Sequence, residues 1–143
     1  MNNPIIALLG NPNVGKTSLF NRITKLNQKV GNYPGITVEK REGQVKANNK
    51  TYRIIDLPGT YTLFPSSMDE EVVFNTLVDK KSSFRPNLVV VVAEPTNLKR
   101  SIILYQQARE LGLPAIFVIN MIDEAKEKGI TIDIQKLEHL LNT

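Results

Sequence analysis

Eight residues close to the N-terminus, Gly10-Asn11-Pro12-Asn13-Val14-Gly15-Lys16-Thr17, match the spacing G-x-x-x-x-G-K-[ST] without a mismatch. Glycines let such a loop wrap close to an anion and point its backbone N–H groups inward. The lysine can reach the β- and γ-phosphates of a nucleotide, and the hydroxyl that follows can ligate magnesium. Ser18 follows in the same turn. The chemistry this pattern suits is capture of a nucleoside triphosphate with its magnesium ion. The plainer alternative, a glycine-rich turn before a helix, is outweighed by the strand predicted before the loop and the helix predicted after it.

Two further groups repeat that context. Asp56-Leu57-Pro58-Gly59 follows a predicted strand. A carboxylate at a strand end can hold a magnesium-bound water, and Gly59 can offer its N–H to a γ-phosphate with no side chain in the way. Alone, this segment reads equally well as a strand and a Pro-Gly turn. Asn120-Met121-Ile122-Asp123 follows another strand. Guanine presents N1–H and N2–H donors on one edge, and a buried Asp123 carboxylate would accept both. Adenine would leave that carboxylate unpaired, and sites built on required hydrogen bonds discriminate strongly. Asn120 would tie this loop to the phosphate loop, and Met121 would lie against the base. In isolation Asp123 also reads as a helix N-cap.

The elements that must position these groups can be read from hydrophobic period and breakers. Pro4 to Leu9, Thr51 to Asp56, Leu88 to Ala93 and Ala115 to Ile119 read as strands. Val38 to Ala47 reads as a strand joined to the Thr51 strand by Asn48-Asn49-Lys50, a hairpin signal. Helices are expected over Gly15 to Lys25, Met68 to Lys80, Leu98 to Leu111 and Glu124 to Lys128. A last helix is capped by Asp133, with Leu137, Leu140 and Leu141 on one face. Leu26 to Thr37 and Leu57 to Ser67 read as loops. Strands alternating with helices imply an α/β fold, a mostly parallel sheet with one antiparallel edge strand and helices on both faces. In such sheets the ligand lies beyond the carboxyl ends of the strands, where all three groups fall.

Composition sets the bounds. A chain of 143 residues with 41% apolar and 22% charged residues is one globular domain. With no cysteine, disulfides, thiolate zinc sites and iron–sulfur clusters are excluded. The longest apolar run, Leu88 to Ala93, is far short of the about 20 residues a spanning helix needs. No signal-peptide pattern opens the chain, so a soluble, cytoplasmic domain is expected. The net charge of +4 fits either an anionic surface or scattered solvated cations, and the basic residues form no run. No nucleic-acid partner is expected.

The three groups, in this order, resemble translation-factor-related P-loop GTPases with a Ras-like G domain. Gly31-Asn32-Tyr33-Pro34-Gly35-Ile36-Thr37-Val38-Glu39-Lys40 narrows the resemblance to the ferrous-iron transporter B (FeoB) family. Leu8 to Asn13, Asp56 to Tyr61, Asn120 to Ala125, and Lys128 to Ile130 with Ile132-Asp133 are similar to that family too. The resemblance implies GTP and GDP as ligands with Mg²⁺. It implies a cytoplasmic G domain of a larger inner-membrane protein, followed by a helical domain and a membrane domain that moves Fe²⁺. Gly35, Ile36 and Thr37 would belong to the nucleotide site, with Thr37 reaching magnesium alongside Thr17 and Asp56. Asn13 matches an asparagine associated with a stimulating potassium ion, or it stabilises its loop by a hydrogen bond. The final strand, a fifth motif and a C-terminal helix of such a domain are expected beyond residue 143. Glu94-Pro95 stands where the family has Asp-Ala.

Lys16, Asn13, Thr37 and Gly59 are the expected catalytic set. Ras-like enzymes carry a glutamine after the second-motif glycine; here it is Thr60. A threonine has neither the reach nor the paired donor and acceptor of an amide, so slow turnover is expected. His139 is expected to be a solvated helix residue. Tyr33 and Tyr61 sit where they could gate the site, and Tyr52 and Tyr105 are expected to pack. Two other functions share these motifs: a soluble GTPase acting on ribosome or tRNA, and a nucleotide-dependent switch module without turnover. An ATPase is disfavoured by Asp123.

Overall fold

The computed structural model describes residues 3–82 and 84–142. Six strands form one sheet: β1 (Ile5–Gly10), β2 (Gln28–Asn32), β3 (Glu39–Ala47), β4 (Lys50–Asp56), β5 (Leu88–Ala93) and β6 (Ala115–Ile119). Their order is β2-β3-β4-β1-β5-β6. Five helices surround it: α1 (Lys16–Thr24), α2 (Met68–Val78), α3 (Leu98–Glu110), α4 (Ile122–Glu127) and α5 (Ile134–Leu141). No described helix is long and apolar enough to cross a membrane.

The central strands are apolar at successive positions because both faces of the sheet are covered. Leu8, Ile54, Val90 and Val92 pack with Phe20 under α1. Their neighbours Leu9, Ile55, Val89 and Val91 point the other way, into a cluster with Val73, Leu77, Leu104 and Tyr105. Strand period 2 thus splits one apolar run between two cores. Tyr105 adds an edge-on contact with Phe117 at 5.6 Å, and Tyr52 packs against the α1-side core, as their expected packing roles require.

The strand expected at the antiparallel edge is β3, which stands second in the sheet. Its turn to β4 is tighter than the three residues anticipated: Ala47 pairs with Lys50, leaving Asn48 and Asn49 as the whole loop. Both have left-handed backbones, φ 51° and 62°, the geometry that matches strand twist in a two-residue hairpin.

A further strand, β2, lies where a loop was expected over residues 26–37. It pairs antiparallel with β3, from Gln28 opposite Gly43 to Asn32 opposite Glu39. Its residues are exposed or half-exposed. An edge strand with no buried face carries no hydrophobic alternation to announce it. α5 buries Leu137 and Leu141, but Leu140 is 60% exposed, so the apolar face expected there is narrower by one residue. His139 is exposed on the same helix.

Candidate functional site

The phosphate loop leaves β1 at Gly10 and enters α1 at Lys16. Glycine is required at both ends for steric reasons. A Cβ at Gly10 would stand 2.9 Å from the Val92 carbonyl oxygen on the neighbouring strand. At Gly15, with φ +79°, it would stand 2.5 Å from Asn120 Nδ2. Asn120 occupies that space because its Nδ2 donates to the Val14 carbonyl at 3.0 Å. The base loop and the phosphate loop are therefore joined directly.

Lys16 and Thr17 both turn to Asp56. The Lys16 ammonium makes a buried ion pair with Asp56 Oδ1, and the Thr17 hydroxyl donates to Oδ2 at 2.9 Å. Asp56 reaches this place because β4 runs parallel to β1, with Leu8 opposite Asp56. The chain then stays close: the Leu57 N–H donates to Leu8 and the Thr60 N–H to the Gly10 carbonyl, at 3.2 and 2.9 Å. A Cβ at Gly59 would lie 3.0 Å from Pro12 Cα, so the two phosphate motifs touch, and a side chain there would press on the Pro12 backbone.

These residues line a cleft of about 230 Å³: Lys16, Thr17 and Asp56 to Gly59 share it with Val38, Glu39, Arg41 and Asp69. Among the described residues no group of three His, Cys, Asp or Glu could hold a metal alone. A hydroxyl and a carboxylate 2.9 Å apart are hard oxygen donors of the kind magnesium takes together with phosphate oxygens. The donor set therefore fits magnesium bound with a nucleotide.

Other expected residues are placed differently. Asn11 is buried, its Nδ2 3.5 Å from Ser101 Oγ and its Oδ1 without a hydrogen-bond partner among the described residues. Asn13 and Ser18 are exposed, Pro12 is half-exposed and Val14 is buried. Asn13 has a left-handed backbone, φ 68°, which asparagine tolerates better than most residues. Gly35 and Thr37 are exposed, and Ile36 packs with Tyr33, Val38 and Val72 rather than in the cleft. Met121 is half-exposed, with φ 58° where it caps α4.

Asp123 is exposed, which corrects the expected buried carboxylate. It sits in the first turn of α4, where the helix dipole favours it. β6 is the sheet edge, so no described strand walls off this corner. Tyr61 is 48% exposed, with the Arg100 guanidinium 4.8 Å from its ring centroid. Tyr33 is buried against Val38 and Val72.

The Tyr33 hydroxyl makes no hydrogen bond among the described residues; the nearby Thr76 hydroxyl donates to the Val72 carbonyl at 2.7 Å. Burial, aided by the Asp56 charge and only partly offset by Thr76, raises the phenol from 10.0 to about 12. The folded state thus holds the neutral phenol, and its stability contribution is complete below pH 10 and lost as pH climbs toward 12. Tyr33→Phe is expected to change stability at pH 7 by less than about 1 kcal/mol, since no bond is lost. It should flatten the alkaline loss; urea titrations of both proteins from pH 9 to 12 read the difference.

Arg41 and Asp69 line the cleft without belonging to any of the quoted motifs, and Glu39 lies in the Gly31 to Lys40 segment that carries the resemblance. For Arg41 a signal existed. Counting back from the Asn48-Asn49 turn, pair by pair, sets Arg41 opposite Asp56.

The family model described as "Ferrous iron transport protein B" matches residues 4–143. A Porphyromonas gingivalis protein, "Fe(2+) transport protein A/Fe(2+) transporter FeoB fusion protein", is 44% identical over 136 residues. That match covers 95% of this chain and only 16% of the relative, so the chain spans under a fifth of it. The cytosolic domain of the T. maritima FeoB iron transporter in a GDP form superposes with TM-score 0.90 at 41% identity, covering 99% of this chain and 54% of that one. The G domain of the same transporter gives TM-score 0.88 at 40% identity, covering 99% and 84%. The chain belongs to the ferrous iron transport protein B family and has the fold of its G domain.

Proposed function

We propose that this chain binds GTP and GDP, hydrolyses GTP slowly, and serves as the cytosolic G domain that regulates ferrous-iron transport by a longer membrane protein. The observation that carries this reading is the convergence of Lys16 and Thr17 on Asp56, beside a glycine-walled loop that Asn120 ties to the base loop. The GDP form of the T. maritima relative supports a guanine nucleotide as the ligand. The greater length of the relatives supports further domains, which we take to be a helical domain and a membrane domain.

Phosphoryl transfer depends mostly on positioning and charge stabilisation. Lys16 supplies an ammonium to the β- and γ-phosphates, the loop N–H groups from Gly10 to Thr17 line the phosphates, and Gly59 offers an N–H to the γ-phosphate. Magnesium, held by Thr17 and Asp56 and by Thr37 once that segment closes, would neutralise phosphate charge. Asp123 accepts from guanine N1–H and N2–H while Met121 lies against the base. Thr60 is a poor orienter of water: it is buried, and its hydroxyl donates to the Thr62 carbonyl at 2.7 Å. That supports slow turnover.

Asn13, exposed and without a side-chain hydrogen bond among the described residues, is free to help hold a potassium ion. Asn13→Gly keeps its left-handed backbone and removes the amide. The expected result is faster hydrolysis in K⁺ than in Na⁺ at equal ionic strength for the wild type, and equal rates for the variant. Equal wild-type rates would dismiss the Asn13 role.

Calorimetry of GTP, GDP and ATP with Mg²⁺ tests the function as a whole. Guanine nucleotides are expected to bind and ATP to bind far more weakly; equal binding of ATP and GTP would overturn the assignment.

A further inference from the structure

Among the described residues two cations, not one, face the phosphate cleft. Lys16 is the first. Arg41 is the second, and no sequence motif includes it. It stands on β3 opposite Asp56 in the antiparallel ladder, so both side chains leave the sheet on the same face. That is the α1 face: a Cβ at Gly43, two residues on, would stand 2.5 Å from Thr24 Cγ2.

The two cations are held differently. The Lys16 and Asp56 side chains are 7% and 3% exposed. Arg41 donates from Nη2 to Glu39 Oε1 at 3.2 Å, in a pair whose side chains are 33% and 53% exposed. An exposed pair of this kind is weak and readily exchanged. A terminal phosphate, with more charge and several oxygens to accept a guanidinium fork, competes well against one solvated carboxylate. Charge balance points the same way. Without Arg41, three carboxylates, Glu39, Asp56 and Asp69, would face a single ammonium where a triphosphate must enter.

We propose that Arg41 is a phosphate-binding residue that exchanges Glu39 for the terminal phosphate of GTP. The chain thereby carries in its own β3 a guanidinium that distinguishes a triphosphate from a diphosphate. This inference rests on the GTP-binding reading.

The test is calorimetry of the 143-residue chain with the imido analogue of GTP and with GDP, at fixed Mg²⁺ and ionic strength. Arg41→Gln is expected to weaken the analogue about tenfold, the loss of one charge-assisted hydrogen bond. GDP should stay within about twofold, the usual reach of an exposed substitution. Arg41→Lys keeps the charge without the fork and should recover part of the loss. Equal weakening of both nucleotides, or unchanged analogue binding, would overturn the assignment. A wild-type chain that binds neither nucleotide removes the GTP reading itself, and this inference with it.

Discussion

Lys16→Met is expected to abolish measurable guanine-nucleotide binding and, independently, to destabilise the ligand-free chain by about 3–5 kcal/mol. The second effect follows from burial. Lys16 and Asp56 pair with side chains only 7% and 3% exposed. Removing one partner leaves a carboxylate out of water with a single remaining hydrogen bond, from Thr17 at 2.9 Å. The first effect follows from chemistry: each charge-assisted hydrogen bond from an ammonium to phosphate is worth about ten- to a hundredfold in affinity, and Lys16 reaches two phosphates. The two effects separate in a double variant. Lys16→Met with Asp56→Leu removes both charges together, and replacing a whole buried pair by apolar groups is often neutral. Urea unfolding should therefore show most stability restored in the double variant, while calorimetry shows binding still absent. Recovery of nucleotide binding would mean that the pair acts only through stability, and the phosphate role of Lys16 would be lost.

Such a pair was legible only in part. The motif places Lys16 and Thr17 at a helix start and Asp56 at a strand end, and parallel strands β1 and β4 bring those ends together. What sequence reasoning recovered was what a buried environment dictates. β5, apolar at every residue, is buried between β1 and β6; β6 is as apolar but stands at the sheet edge with its residues half-exposed or exposed. Glycines at 10 and 15 report close approaches that a side chain would block, and Gly59 one that it would crowd. What it missed lies where burial imposes nothing. β2 is an edge strand held by backbone bonds to β3, and Gln28, Lys29 and Asn32 give no alternation to read. Arg41 belongs to the cleft through register, which the Asn48-Asn49 turn sets at a distance of several pairs. Leu140 follows the helical period of Leu137 and Leu141 but meets solvent, because periodicity fixes the face of a helix and not how far its neighbours extend. The FeoB resemblance, carried mainly by Gly31 to Lys40, is borne out by the family match over residues 4–143.

Asp123 carries the base-recognition effect, and one substitution there should invert it. Asp123→Asn exchanges an acceptor-only carboxylate for an amide with one acceptor and one donor edge. Guanine offers two donors, so one of its bonds becomes a clash of donors. Xanthine carries a carbonyl in place of the exocyclic amine, and that carbonyl accepts from the new amide while N1–H donates to its oxygen. The preference should therefore invert: the variant binds xanthosine diphosphate better than GDP, and the wild type the reverse. Discrimination of about 10⁴-fold or more arises where the unmatched group is sealed from water. Asp123, in the first turn of α4, offers guanine a single bidentate contact. The expected inversion is about 10- to 100-fold, the value of one well-made bidentate contact to a base edge. Calorimetry of both diphosphates with Mg²⁺ reads it directly. Equal losses for the two nucleotides would mean that Asp123 shapes the start of α4 rather than touching the base. Unchanged GDP affinity would place the base elsewhere, and the guanine argument would have to be rebuilt on Asn120, whose tie to Val14 would then be its whole role.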